Sequence, residues 1–506
     1  MAKRLNMRDR YDYMTRLGWD TTYQPKEKVF PYDKYEGIKI KDWSGWEDPF
    51  RMTMDSYWKY QGEKEKKLYA ILDAFAQNNG HENITDASYL NAIKLFIQGI
   101  TPAEYSAHRG FAFTGRHFAG DGARVACQMQ AIDELRHAQT QIHTISHYNK
   151  HFSGMHDFTH WGDRIWYLSV PKSFFDDART AGPFEFMVAI GFSFEYVLTN
   201  LLFVPFMSGA AYNGDMATVT FGFSAQSDEA RHMTLGLQVI KFILEQHEDN
   251  LPIVQKWIDK WVWRGYKVLG LVSMMMDYML PESPMSWKES WELYFEENAG
   301  ALFKDLERYG IKQPSYVDIC SKEKEHLSHQ VWSIFYNHTA AAAFHTTLPD
   351  EKKMDWLSEK YPDTFDKFYR PRYDLWRERE EAGERYYSKT LPMLCQTCQI
   401  PMGYTEKDDF TQIAYRHSDF GGDRYNFCSD PCKAIFDDEP EKYVQAWMPV
   451  QQIFQGNCGG ADIKDVLKWY KLEDGVDNMD YHGSLDEKRW KEMKGFADNS
   501  SDKTGT

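Results

Sequence analysis

Residues 122–148 read GARVACQMQAIDELRHAQTQIHTISHY, and residues 224–238 read SAQSDEARHMTLGLQ. Each stretch holds one copy of Asp-Glu-x-Arg-His, as Asp133-Glu134-Leu135-Arg136-His137 and as Asp228-Glu229-Ala230-Arg231-His232. The surrounding apolar residues recur every three or four positions, the period of a helix. On a helix, residues three apart project from one face, so each motif can offer a carboxylate oxygen and an imidazole nitrogen to one metal ion. A single Glu-x-x-His arises by chance on many solvated helices. Two copies with the same flanking Asp and Arg are hard to ascribe to chance, and they predict two metal ions.

Two bridged divalent ions need more negative charge than two carboxylates supply, and helical di-iron sites add one Glu from each of two further helices. Glu104, within ITPAEYSAHRG, precedes Glu134 by 30 residues, and Glu195, within GFSFEYVLTN, precedes Glu229 by 34. Each stands in an otherwise apolar or small-residue helical pattern, where an unpartnered carboxylate is costly to bury. Glu104, Glu134, His137, Glu195, Glu229 and His232 are therefore expected to build a carboxylate-bridged di-iron centre on four helices. Oxygen and nitrogen donors without thiolate suit non-haem iron or manganese better than a soft-metal site. Asp133 and Asp228 are natural acceptors for the ring N–H groups of the two histidines, and Arg136 and Arg231 offset the acidic charge.

The 506 residues suffice for one large helical domain with accessory layers, or for two or three ordinary domains. With 17 Trp, 31 Tyr and 32 Phe, aromatic rings are expected to supply much of the buried area. A net charge of −16 argues against a phosphate-tracking nucleic-acid binder. The first residues, MAKRLNMRDRYDYMTRLGW, lack the apolar run of a secretory signal, so a cytoplasmic location is expected. The most membrane-like stretch, Phe184 to Tyr212, is interrupted by Glu185, Glu195 and Asn200, and it reads as a buried helix with a functional carboxylate.

Residues 1–63 read as an N-terminal arm, 64–345 as the helical bundle and 346–390 as peripheral helices. A four-cysteine insert at 391–440 and a C-terminal segment, 441–506, follow, the latter ending in the polar tail NSSDKTGT, expected to be disordered. Pro102 is expected to kink or widen its helix two residues before Glu104. Cys395-x-x-Cys398 and Cys428-x-x-x-Cys432 can close a tetrahedral zinc shell around a loop that lacks its own core. A redox role for the first pair would want a thioredoxin-like βαβ pattern, which is missing from the sequence around it. Cys127, Cys320 and Cys458 stand alone as expected buried thiols, and nothing suggests a disulfide framework.

With these residues in view, the chain resembles the alpha subunits of bacterial multicomponent monooxygenases, the soluble di-iron hydroxylases of methane, toluene and phenol. The segments AWMPVQQIFQGNCGGADIKDVLKWY and GVDNMDYHGS resemble the phenol hydroxylase branch, whose members also carry a zinc site of this kind. The resemblance implies a mainly α fold: a ferritin-like four-helix di-iron bundle enlarged by extra helices, with a small C-terminal four-cysteine zinc insert. It implies that Glu104, Glu134 and His137 hold one iron and that Glu195, Glu229 and His232 hold the other. It pairs Asp133 with His232 and Asp228 with His137. Thr199 matches a threonine on the oxygen-binding side, and Asn200 and Gln226 match polar positions near a pore to the metals. Ile100, Ala103, Ala107, Phe174, Ile190, Phe194 and Phe203 match the lining of an aromatic substrate pocket, although aromatic and aliphatic residues at helical spacing also make ordinary core.

The chemistry implied is reductive oxygen activation, in which one oxygen atom becomes a ring hydroxyl and the other leaves as water. The sequence has no G-x-G-x-x-G fingerprint and no plant-type [2Fe–2S] cysteine spacing, so electrons must come from elsewhere. The resemblance supplies a separate reductase carrying FAD and [2Fe–2S] and using NADH, a small regulatory protein, and beta and gamma subunits in a dimer of heterotrimers. A toluene or benzene monooxygenase is the neighbouring alternative. Radical-generating di-iron proteins use Asp as first ligand and Tyr one turn after the first motif histidine, where this chain has Glu104 and Gln141. An iron-storage protein would be far shorter.

Overall fold

Residues 4–152, 166–280, 283, 285–337, 347–384, 393–401 and 416–446 are described by a computed structural model. The sequence expectations beyond residue 446, Cys458 and the polar tail among them, lie outside the described residues. The principal helices are α1 (Met54–Gln77), α2 (Ala87–His117), α3 (Asp121–Tyr148), α4 (Ser169–Thr180), α5 (Asn200–Tyr212), α6 (Met216–Gln246), α7 (Asn250–Met274) and α8 (Leu327–Asn337). Between α4 and α5 the chain forms a π-helical stretch, Met187–Leu198.

Local sequence sets the helix starts. The Thr53 N–H donates to the Ser56 hydroxyl at 3.0 Å, and α1 opens at Met54, ahead of the expected boundary at 64. Asp86 caps α2 by accepting the Tyr89 N–H at 2.7 Å. Asp215 caps α6 from a fully buried position, where it also accepts from the Tyr89, Tyr148 and Thr218 hydroxyls. The arm before α1 contains a short helix, Met7–Met14, and lays Trp43 against Phe118 and Phe242 with ring centroids 5.3 and 5.0 Å apart.

Four elements make the central bundle. α2 lies along α3, the π-helical stretch lies along α6, and α3 meets α6. α1 covers α6 and α3, α7 backs the π-helical stretch, and α4 and α8 pack on α7. One crossing in the bundle is closer than side chains allow: a Cβ on Gly236 of α6 would sit 2.1 Å from the Gly191 carbonyl oxygen of the π-helical stretch. Glycine on both sides lets the backbones touch there, one turn from Glu195 and from His232. Around the bundle, Trp261, Trp263, Trp287 and Trp291 are fully buried.

α2 keeps an unbroken α-helical pattern through Pro102, without the local widening expected there, while packed by α3 and α4. The widening lies instead in the helix that carries Glu195, where an i→i+5 pattern shifts the register of the side chains that follow. Among the described residues no single helix is long and apolar enough to cross a membrane; the stretch Pro183–Leu198 with Asn200–Tyr212 bends by 48° and buries Glu195 inside the bundle.

The cysteine insert adds a two-stranded antiparallel hairpin, β1 (Arg416–Phe420) and β2 (Asp423–Phe427), followed by α9 (Asp430–Asp438). Its two-residue turn is Gly421-Gly422, both at positive φ (62° and 93°), as a tight hairpin of this twist requires. The Gln396 N–H donates to the Asn426 carbonyl at 3.0 Å, tying the Cys395–Cys398 loop to β2.

Candidate metal centres

α2, α3, the π-helical stretch and α6 bring Glu104, Glu134, His137, Glu195, Glu229 and His232 into the middle of the bundle, all buried. His137 Nδ1 faces Glu104 at 3.5 Å, Glu134 at 3.6 Å and Glu229 at 3.8 Å. His232 Nδ1 faces Glu134 at 3.0 Å, Glu229 at 3.4 Å and Glu195 at 4.0 Å. Glu134 and Glu229 thus each address both imidazoles. The ligand atoms of Glu104, Glu134 and His137, and those of Glu134, Glu229 and His232, fall within 4.8 Å of one another. Glu195 stands slightly apart, its Oε2 accepting from Gln130 Nε2 at 2.8 Å.

The donor set fits metal ions. Buried polar atoms are almost always hydrogen-bonded. Here Glu134 Oε1, His137 Nδ1, Glu229 Oε2 and His232 Nδ1 are buried, face one another and have no hydrogen-bond partner among the described residues. The electrostatics agree. Burial, together with the neighbouring carboxylates, pushes the Glu104 and Glu195 carboxyls well above their usual range. Burial opposes charge on His137 and His232 as well, yet the carboxylates facing each ring hold it well above the ordinary histidine value. Four buried carboxylates call for compensating positive charge, which two divalent cations supply.

A second tier surrounds these groups. Asp228 Oδ2 lies 3.2 Å from His137 Nε2, and Asp133 Oδ2 lies 3.3 Å from His232 Nε2, so each aspartate serves the histidine of the other motif. Burial alone would raise both aspartates. Contact with His232 and Arg231 brings Asp133 below its usual value, and His137, Lys64 and Arg231 do the same for Asp228. Arg136 spans Asp133 at 3.1 Å and Asp228 at 3.4 Å, and Arg231 donates to the same two carboxylates.

Further members of this network, Gln141 apart, carry no signal in the sequence. From α1, Gln61 Nε2 donates to Asp133 at 2.6 Å and to Asp228 at 2.8 Å, the Tyr57 hydroxyl donates to Asp133 at 2.7 Å, and Lys64 pairs with Asp228. Positions 57, 61 and 64 form one polar stripe of a helix, which reads as solvated surface until α6 and α3 are laid against it. From α3, Gln141 Nε2 lies 3.3 Å from Glu104 Oε1, at the position where a radical generator has tyrosine. A cavity of about 40 Å³ lies beside Asp133, Arg231 and His232, lined also by the arm residues Asp48, Pro49, Phe50 and Met52.

Thr199 is buried at the break between the π-helical stretch and α5, while Asn200 and Gln226 are half-buried. Ile100, Ala103, Ala107, Phe174, Ile190, Phe194 and Phe203 are all buried. Phe174 packs on Phe194 with ring centroids 5.2 Å apart, and Phe175 packs on the same ring at 5.4 Å.

The four insert cysteines form a separate cluster. All are buried, and their sulfurs lie within 4.8 Å of one another. Cys398 and Cys428 are 3.7 Å apart, and Cys428 and Cys432 are 3.6 Å apart. Thiolates bound at about 2.3 Å around a tetrahedral zinc lie about 3.8 Å apart, so the set can hold that ion. None of the six described cysteines, including buried Cys127 and Cys320, is in a disulfide. Trp263 Nε1 donates to Cys432 Sγ at 3.2 Å, and the cations of Arg264 and Lys267 on α7 act on the sulfurs from behind.

The family described as Methane/Phenol/Alkene Hydroxylase matches residues 19–247, which span both motifs, and a YHS domain matches residues 405–447. The chain is 66% identical to the oxygenase component DmpN of the phenol 2-monooxygenase of Pseudomonas sp. (strain CF600), over 97% of this chain and 96% of that protein. It is 28% identical to the oxygenase component subunit alpha of the alkene monooxygenase system of Xanthobacter autotrophicus, over 92% and 94% of the two chains. The crystal structure of xenon-pressurised phenol hydroxylase from Pseudomonas sp. OX1 superposes with a TM-score of 0.91 at 67% identity, covering 96% of this chain and 99% of that one. With its paired Glu and His groups in a helical bundle and this kinship along nearly its whole length, the chain belongs to the methane/phenol/alkene hydroxylase family of di-iron monooxygenases.

Proposed function

We propose that this chain is the oxygenase alpha subunit of a multicomponent monooxygenase that hydroxylates phenol or methylphenols to catechols. The observation that carries the substrate class is the 66% identity to a phenol 2-monooxygenase oxygenase component across 97% of the chain. Glu104, Glu134 and His137 hold one iron, and Glu195, Glu229 and His232 hold the other. Glu134 and Glu229 each face both imidazoles. Bound iron supplies reductive activation of dioxygen, with one oxygen atom inserted into the ring and the other released as water.

The protein's part is to hold, orient and exclude. Asp133 and Asp228 accept the Nε2–H of His232 and His137, which fixes the tautomer that turns each Nδ1 lone pair toward the carboxylates. Ala103 and Ala107 lie one turn apart beside Glu104 and leave room for a planar ring, walled by Ile100, Phe174, Ile190, Phe194 and Phe203. That apolar seat keeps water from the reacting face. The Thr199 hydroxyl holds a proton on the oxygen side, and the half-buried Asn200 and Gln226 lead from it toward the surface. The four cysteines hold a structural zinc. Electrons come from NADH through a separate reductase with FAD and [2Fe–2S], and the chain works with beta and gamma subunits, as a dimer of heterotrimers, and a small regulatory protein.

The test is reconstitution with reductase and regulatory protein. Phenol yields catechol at the expense of NADH, and metal analysis finds about two irons and one zinc per chain. Zinc alone would sink the oxygenase reading. Toluene turned over faster than phenol would overturn the substrate class.

A further inference from the structure

Three histidines outside both centres meet where the turn after α1 touches the end of α3. His81 lies in a short 3₁₀ turn, Gly80–Asn83, His147 in the last turn of α3, and His151 just beyond it. Local backbone builds the encounter. Asn79 adopts a left-handed conformation (φ 54°), and a Cβ on Gly80 would fall 2.3 Å from the Phe75 ring, so only glycine lets the turn close down on that ring. Phe75 in turn sets its edge against His147 at 5.7 Å. The His81 and His151 rings are stacked at 3.3 Å, and His147 stands 5.2 Å from His151 across a steep angle.

One nitrogen from each ring can be chosen so that all three lie within 4.8 Å of one another. His81 Nδ1 and His147 Nε2 are buried and have no hydrogen-bond partner among the described residues. Unpaired buried lone pairs are unfavourable unless something accepts them. Lys150 and His143 act on His147 with like charge, and Glu82 is the carboxylate that acts on His151.

We infer that His81, His147 and His151 form a binding site for a borderline divalent transition ion of the zinc, nickel or copper class. Imidazole is the donor these ions prefer. Two imidazoles on a tetrahedral ion bound at about 2.0–2.1 Å hold their ring centres about 5 Å apart, as His147 and His151 already do, and the His81–His151 stack opens to that spacing by rotation of the exposed His151 ring. Three rings leave a fourth position for water. The ion pins the α1–α2 turn to the end of the helix that carries Glu134 and His137, about 15 Å further along α3.

Nickel alone is the probe, added by equilibrium dialysis to the untagged, iron- and zinc-loaded protein. About one equivalent per chain is expected to bind without displacing iron or zinc, and to raise the Tm. His151→Ala, which removes an exposed ring, and His81→Asn are each expected to weaken nickel binding at least tenfold and to remove the Tm rise. Iron and zinc contents and the circular dichroism spectrum are expected to stay unchanged. Wild-type protein that takes up no nickel, takes it up only by displacing iron or zinc, or binds it as tightly as both variants do overturns the site.

Discussion

Gln61 is bonded to both halves of the repeated motif at once: its two amide hydrogens go to Asp133 and Asp228, one each. Those aspartates orient His232 and His137, and partners at this remove typically change metal affinity or activity by 10–100-fold. Gln61→Leu keeps the volume near Tyr57 and removes both bonds. Iron retention against a chelator and NADH-coupled turnover are expected to fall about tenfold, the lower end of that range, with the helical spectrum intact. Wild-type values for both would remove Gln61 from the orienting network. Glu229→Ala is expected to be harsher, because Glu229 faces both imidazoles: turnover should drop at least about 100-fold while the chain still folds. Measuring catechol per iron keeps that loss separate from loss of metal. The contrast shows which residues a sequence can reveal. Glu134, His137, Glu229 and His232 stand out because the same short motif occurs twice. Gln61 and Gln130 are amides in no pattern, and only the packing of α1 and α3 gives them neighbours to bond.

At the scale of elements, the bundle depends on one backbone crossing. Helix propensity alone favours Ala over Gly by about 1 kcal/mol in a helix interior, so Gly236→Ala would ordinarily stabilise α6. Here the new Cβ meets the Gly191 carbonyl at 2.1 Å, a backbone atom that cannot turn aside. We expect a net loss of about 1–3 kcal/mol, typical of overpacking, and lower iron content as Glu195 is pushed away from His232. Gly62→Ala on α1 is the control, since nothing lies within 4 Å of its Cβ position; it should gain about 0.5–1 kcal/mol. Chemical unfolding of both variants, read with iron content, decides the matter: a stabilised, fully metallated Gly236→Ala would mean that the crossing has slack. Periodicity made the long helices legible. It did not reveal the π-helical widening at Met187–Leu198, because an apolar run around a lone Glu looks the same whether each turn holds 3.6 residues or more. Pro102 was the visible distortion signal, yet the α-helical pattern of α2 continues through it.

Across the whole molecule, the sequence announces the cysteine insert as a unit with its own staple, and it is silent about how that unit is fastened to the bundle. Asp177 on α4 supplies one buried fastening. It accepts from Arg264 Nη1 of α7 at 2.7 Å and from the Tyr443 hydroxyl at 2.8 Å, and it pairs with Lys442 beyond α9. Arg264 also reaches the thiol cluster electrostatically, so bundle and insert share one buried cation. Burial by itself would raise the Asp177 carboxyl, but Lys260, Arg264 and Lys442 hold it well below the usual aspartate value. Removing the charge with Asp177→Asn leaves Arg264 buried and unpaired, a change that costs about 3–5 kcal/mol in comparable pairs. Because the folded carboxyl titrates below its unfolded value near 3.9, its contribution is fully present above about pH 4 and fades as pH falls through the folded value. The gap in Tm between wild type and Asp177→Asn is therefore expected to stay constant from pH 8 to about pH 5 and to narrow only in stronger acid. A gap that narrowed between pH 8 and pH 6 would assign the stabilisation to some other titrating group, and a variant as stable as wild type at pH 7 would mean that the other ties, such as Trp263 to Cys432 and Lys256 to Asp438, hold the insert in place without Asp177.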